Sequence, residues 1–207
     1  MSKVNLAIIC YSSTGTNYQL SQWALEGAKE AGAEVKILKV EELAPQSVID
    51  SNPAWKQFSE EVAVCIPTVD LKDLDWADAI IFSVPTRFGN MPSQMKQFLD
   101  TTGGLWFNGK LVNKVVSAMT SAQNPHGGQE ATILSLYTTM HHWGAIVVTP
   151  GYTDPVIFGA GGNPYGTSVT VDQNGKMVED FYAVQATVKH QAKRTVTVAE
   201  WVKNANR

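Results

Sequence analysis

The sequence predicts an α/β fold: a parallel sheet with helices on both faces. Three observations predict it. Short apolar, β-branched runs alternate with longer segments whose apolar residues recur at helical intervals. One run, Ala79-Ile80-Ile81-Phe82-Ser83-Val84, is apolar almost without a break, as a strand covered on both faces must be. Three of the runs lead into polar or glycine-rich loops, the position at which open α/β sheets bind ligands.

Val4–Cys10 reads as the first strand. Residues 18–31 place Leu20, Trp23, Ala24, Gly27, Ala28 and Ala31 at helical spacing, and Gly32 stops them. Residues 34–39 form the second strand. Residues 41–70 carry Pro45, Pro53 and Pro67 and read as an excursion, followed by a short connecting turn at 71–74. After the third strand, residues 92–101 predict a short helix with Met95, Phe98 and Leu99 inward. Residues 114–119 form the fourth strand, 130–143 a helix and 145–148 the fifth strand. Residues 149–180 read as a long irregular segment. The closing helix, 181–204, gathers Val184, Val188, Ala192, Val196 and Ala199 on one face.

Composition bounds the function. The 207 residues fit one domain spanning 1–207, and no linker divides them. A hydrophobic content of 44% with 17% charged residues supports a sizeable core. A net charge of −3 offers no basic field for nucleic acid, and is too modest for a strongly charged electron-carrier surface. Cys10 and Cys65 have no metal-ligand spacing; a single disulfide is possible on paper, but nothing else points to an oxidising compartment. No metal site is expected. The first apolar run is too short for a signal peptide, and no run is long enough to span a membrane, so a cytoplasmic protein is expected.

The loops carry the chemistry. After the first strand come Ser12, Ser13, Thr14, Gly15, Thr16 and Asn17, and then a helix begins. Unpaired backbone N–H groups and the helix dipole make such a start an anion site, and the hydroxyls add donors. No Lys or Arg lies between residues 4 and 28, and the P-loop and Gly-x-Gly-x-x-Gly spacings are absent, so a phosphate here meets neutral donors. The plain alternative is an ordinary capped helix. The third strand leads into Pro85, Thr86, Arg87, Phe88, Gly89 and Asn90: a planar cation, an apolar wall and a glycine that lets backbone approach a ring. The fourth leads into Ser121, Ala122, Gln123, Asn124, Pro125, His126 and Gly127-Gly128, with more backbone donors. A flat ligand with one terminal phosphate fits the three loops, and flavin mononucleotide (FMN) is such a ligand.

These blocks resemble the WrbA-type NAD(P)H:quinone oxidoreductases, a flavodoxin-like family. The resemblance rests on Pro85-Thr86-Arg87-Phe88-Gly89-Asn90-Met91, residues 98–106, Gly127-Gly128-Gln129-Glu130, His141-His142 and residues 161–166, and it spans nearly the whole chain. It implies a three-layer sandwich with strand order 2-1-3-4-5, bound FMN, a homotetramer, and two-electron reduction of quinones by NADH or NADPH in a ping-pong scheme. Residues 12–17 would meet the phosphate, residues 85–90 the ribityl chain and ring, and Ser121–Gly127 the third side. His142 would contact the flavin, and Trp106 would belong to the substrate cavity. Thr14 stands where family members often carry an aromatic. His142 read alone is equally a helix-end histidine on the C-terminal dipole. A flavodoxin-type electron carrier and a regulatory protein-binding module are the rival readings.

Overall fold

The computed structural model describes residues 3–173 and 175–205. Strands β1 (Asn5–Cys10), β2 (Glu34–Lys39), β3 (Ala79–Pro85), β4 (Val115–Ala122) and β5 (Ile146–Val147) form a parallel sheet in the order β2-β1-β3-β4-β5. The order reverses direction at β1, so the connections after β1 and β3 leave opposite faces and open a crevice at their carboxyl ends.

Each strand alternates its side chains between two apolar layers. Ala7, Ile9, Ile80, Phe82, Val116 and Ala118 point to one face. There they meet α4 (Leu71–Trp76), α5 (Ser93–Asp100) and α7 (Gln129–Trp143). Leu6, Ile8, Ala79, Ile81, Val115 and Met119 point to the other face, against α1 (Thr16–Glu30) and α8 (Phe181–Ala205). Trp143 lies in the first layer, 4% exposed and tilted against Phe82 with ring centroids 6.3 Å apart, and is a core residue. The predicted face of α8 is its buried face.

The excursion is more ordered than its prolines suggest. It holds α2 (Gln46–Asp50) and α3 (Pro53–Glu61). Asn52 caps α3, its side chain accepting from the backbone N–H groups of Ala54 and Trp55, with Pro53 at the first helical position. The turn expected at 71–74 is the helix α4. It is started by a capping box in which Asp70 accepts from Lys72 while Asp73 accepts from the Asp70 backbone. A short helix, α6 (Gly103–Phe107), follows α5.

The segment read as irregular contains a sixth strand, β6 (Ser168–Thr170). It pairs in parallel with the carboxyl half of β4, at Thr120–Ala122, whereas β5 pairs with Val115 and Val116 at the other half. Two short strands therefore share one edge of β4. The approach to β6 is locked by Gln191 of α8. Its Oε1 accepts from the backbone and hydroxyl of Thr167, and its Nε2 donates to Ser117 Oγ and the Ala118 carbonyl at 2.7 and 2.9 Å. Gly166 is required there, because a Cβ would fall 2.0 Å from the Ala118 oxygen.

Candidate functional site

The carboxyl ends of β1, β3 and β4 enclose a cleft of about 510 Å³. Its first wall is the turn after β1. Gly15 takes φ +98° and stands at the N-cap of α1 with no side chain capping the helix. Its own N–H is held by Ser12 Oγ at 3.0 Å, which leaves the Ser12 hydroxyl hydrogen free to donate. The first-turn N–H groups of α1 therefore face the cleft without side-chain partners, the condition under which a helix start binds an anion. Ser12, Ser13, Thr14, Thr16 and Asn17 all line the cleft.

The second wall is a two-residue turn. Arg87 and Asn90 exchange backbone hydrogen bonds of 2.7 and 3.0 Å, and Phe88 and Gly89 between them take φ +52° and +75°. The Phe88 ring is fully exposed, presented from a backbone that favours glycine. Arg87 is the single charged side chain lining the cleft among the described residues. Its Nη2 reaches across to Ser13 Oγ at 2.9 Å, so the one cation spans the first and second walls. Pro85 and Thr86 complete this side, and Thr86 Oγ1 lies 2.6 Å from Thr132 Oγ1 of α7.

The third wall begins later than the sequence predicts. β4 continues through Ala122, so Ser121 and Ala122 belong to a strand rather than a loop. The extension follows from pairing on both sides: Ser121 lies between Pro85 of β3 and Val169 of β6. Beyond it, the Asn124 carbonyl accepts from the Gly127 N–H at 3.0 Å, and Asn124 Oδ1 accepts from the His126 N–H. A Cβ on Gly127 would fall 2.5 Å from the Ala122 Cβ. Gly128, at φ +89°, is the N-cap of α7, again without a side-chain cap.

Gly15, Gly89, Asn90 and His126 sit in the three turns but outside the cleft lining. His142 and Trp106 stand elsewhere: both are exposed, and the Trp106 indole N–H donates to the His142 carbonyl at 2.9 Å. Within one chain they meet each other rather than the cleft. Three lining residues escaped the sequence reading: Asn52 and Trp55 from the excursion, and Val171 after β6. The Asn52-Pro53 pair was the available signal, since an N-cap residue before proline starts a helix.

Neither buried titratable group beside the cleft is suited to chemistry. Burial pushes the Cys10 thiol up to about 12, which leaves it protonated and inert. Burial, and then the Glu42 carboxylate, hold the Tyr11 hydroxyl above its ordinary range; it donates to Glu42 at 3.0 Å and accepts from Gln94 at 2.9 Å.

The donor set fits FMN. A dianionic phosphate would find uncapped helix N–H groups, neutral hydroxyls and one guanidinium in reach, and a planar ring would find Trp55 and Phe88. Outside the cleft lining, the buried Oε1 of Gln129 has no hydrogen-bond donor among the described residues.

A parallel α/β sandwich with this three-walled cleft at its switch point is the flavodoxin-type architecture. Solved structures agree on the fold. A WrbA-like flavodoxin protein from Agrobacterium tumefaciens superposes with a TM-score of 0.64 at 20% identity, covering 96% of this chain and 99% of that one. The apo form of EmoB, an NADH:FMN oxidoreductase, superposes with a TM-score of 0.60 at 15% identity, covering 95% and 90%.

The chain belongs to the NADPH-dependent FMN reductase family, whose model matches residues 4–154. Similar curated proteins carry the name NAD(P)H dehydrogenase (quinone). The one from Deinococcus radiodurans is 54% identical over 193 residues, 93% of this chain and 94% of that protein. The one from Aromatoleum aromaticum is 38% identical over 201 residues, 95% and 96% of the two chains.

Proposed function

We propose that the protein is an FMN-dependent NAD(P)H:quinone oxidoreductase in which residues 1–207 act as one FMN-binding unit. The observation that carries the reading is the cleft itself: an uncapped α1 N-terminus with one cation in reach, placed at the switch point of the sheet. The first wall, residues 12–17, holds the phosphate through backbone N–H groups and the Ser12, Ser13, Thr14 and Thr16 hydroxyls. Arg87 neutralises part of the phosphate charge and keeps the first and second walls together. Pro85–Asn90 and Ser121–Gly127, with His126 at the rim, line the chain and ring, and Trp55 closes the outer side. FMN held by these residues would supply two-electron, hydride-accepting chemistry between NADH or NADPH and a quinone. The chain's own part is to hold the ring edge rigid while one face stays open to two flat substrates in turn, which is a ping-pong order. His142 and Trp106, paired with each other on an exposed face, act on the cofactor and substrate from a neighbouring copy in a homotetramer, within the cytoplasm.

No helix among the described residues is long and apolar enough to cross a membrane. The test is steady-state turnover of FMN-loaded protein with NADH or NADPH and benzoquinone. Parallel double-reciprocal lines support the reading. FMN-loaded protein that exchanges electrons with a donor but never turns over NAD(P)H is an electron carrier instead. Light scattering reads the tetramer.

A further inference from the structure

We infer that Asn17 is a positioning residue: a buried tie that sets the distance between the phosphate wall and the two ring walls of the cleft. The inference rests on the FMN reading. Asn17 is 1% exposed, and its side chain is turned into the protein. Its Oδ1 accepts from Ser121 Oγ at 2.6 Å, at the carboxyl end of β4. Its Nδ2 donates to Ser83 Oγ at 3.3 Å, near the carboxyl end of β3, and its backbone carbonyl accepts from the same Ser83 hydroxyl at 2.9 Å. One residue of the first turn of α1 is thus bonded to both neighbouring strands that carry the other walls.

The need for such a tie follows from topology. The second and third walls grow from β3 and β4, whose ends are fixed to each other by the pairing of Pro85 with Ser121. The first wall lies beyond the last paired residue of β1, Cys10, and the ladder does not hold it. Ser83 and Ser121 are buried hydroxyls, and both spend their hydrogens on Asn17. A buried amide with both ends bonded is costly to break and specifies one geometry. What Asn17 has left for an anion is its backbone N–H.

A ligand gripped at two ends reads the spacing between the grips; a ligand gripped at one end does not. Apo-protein of the wild type and of Asn17→Ala is titrated with FMN, with lumiflavin (the ring alone) and with inorganic phosphate, using flavin fluorescence and calorimetry. The expected result is a loss of FMN affinity of about tenfold or more, with lumiflavin and phosphate changed by less than about twofold. Ser121→Ala, which removes only the hydroxyl end of one bond, is expected to show the same split to a smaller degree and serves if Asn17→Ala does not fold. Unchanged FMN affinity in both variants overturns the inference. So does a phosphate affinity that falls by the same factor as FMN, which makes Asn17 a direct phosphate ligand. Wild-type protein that binds no FMN removes the functional reading together with this one.

Discussion

Gly128 and Gly89 approach so closely that a methyl group on Gly128 would stand 2.7 Å from the Gly89 Cα. The second and third walls of the cleft meet at this point, backbone against backbone, and φ +89° at Gly128 adds a conformational demand to the steric one.

Gly128→Ala is therefore expected to push the two walls apart. Strain of about 1–3 kcal/mol in the folded state and a clear loss of FMN affinity should appear together. Gly32→Ala is the matched control: it has φ +85° but nothing within 4 Å of the added methyl, and it lies far from the cleft along α1. It should lower the melting temperature and leave FMN affinity unchanged. Thermal melts and fluorescence titrations of the two variants check the contrast.

Phe88 holds φ +52° with its ring fully exposed, so the apoprotein carries the strain without any packing in return. Phe88→Gly should stabilise the apoprotein by about 1 kcal/mol and weaken FMN binding, opposite signs in one variant. A Phe88→Gly apoprotein that melts below the wild type would refute the assignment of strain.

Cofactor removal should be visible in stability alone. Free FMN at about 100 times its dissociation constant adds about 2.7 kcal/mol to the folded state, and for a chain of this size that raises Tm by roughly 5–10 °C. Arg87→Ala should reduce the increment, because it removes the one cation lining the cleft among the described residues. Differential scanning calorimetry of apo and FMN-loaded protein measures both.

His190, on α8, lies 2.9 Å from Thr153 Oγ1, and burial holds its pKa below the ordinary 6.5. The unfolded chain then binds the proton more readily than the folded one. The stability difference is present in full above 6.5 and is lost as pH falls from there through the folded value. Melting temperatures from about pH 7.5 to about pH 5 should fall more steeply for the wild type than for His190→Gln. Parallel curves would exclude His190 as the source.

The five main strands and the central helices were legible because their patterns are strong: unbroken apolar runs for buried parallel strands, and helical spacing for α1 and α8. The positions of Ser12–Asn17 and Pro85–Phe88 around one cleft followed from the rule that ligands sit at strand carboxyl ends. What stayed hidden has physical reasons. β6 is three residues long, and its pairing with β4 is held by Gln191 from far along the chain, so no local pattern announces it. α3 is only nine residues long and has no fully buried residue, and the prolines around it masked its Asn52 cap. Trp55 of α3 and Val171, directly after β6, reach the cleft from those two stretches. Asn17 was legible as a loop residue of an anion site but not as an internal tie, because Ser83 and Ser121 become its neighbours only when the sheet forms.

The shared edge of β4 bears on how relatives of this chain can diverge. β5 grips one half of the strand and β6 the other; the chain leaves β4 after the Val148 N–H bonds the Val116 carbonyl and rejoins it where the Thr120 N–H bonds the Thr167 carbonyl, so residues 149–166 bypass the sheet. Ile157, Ala160 and Gly166 are packed into the fold, so only the exposed turns of that bypass can gain or lose residues without shifting either pairing. Those turns can reshape the outer surface while the cleft-facing end of β4 keeps its register.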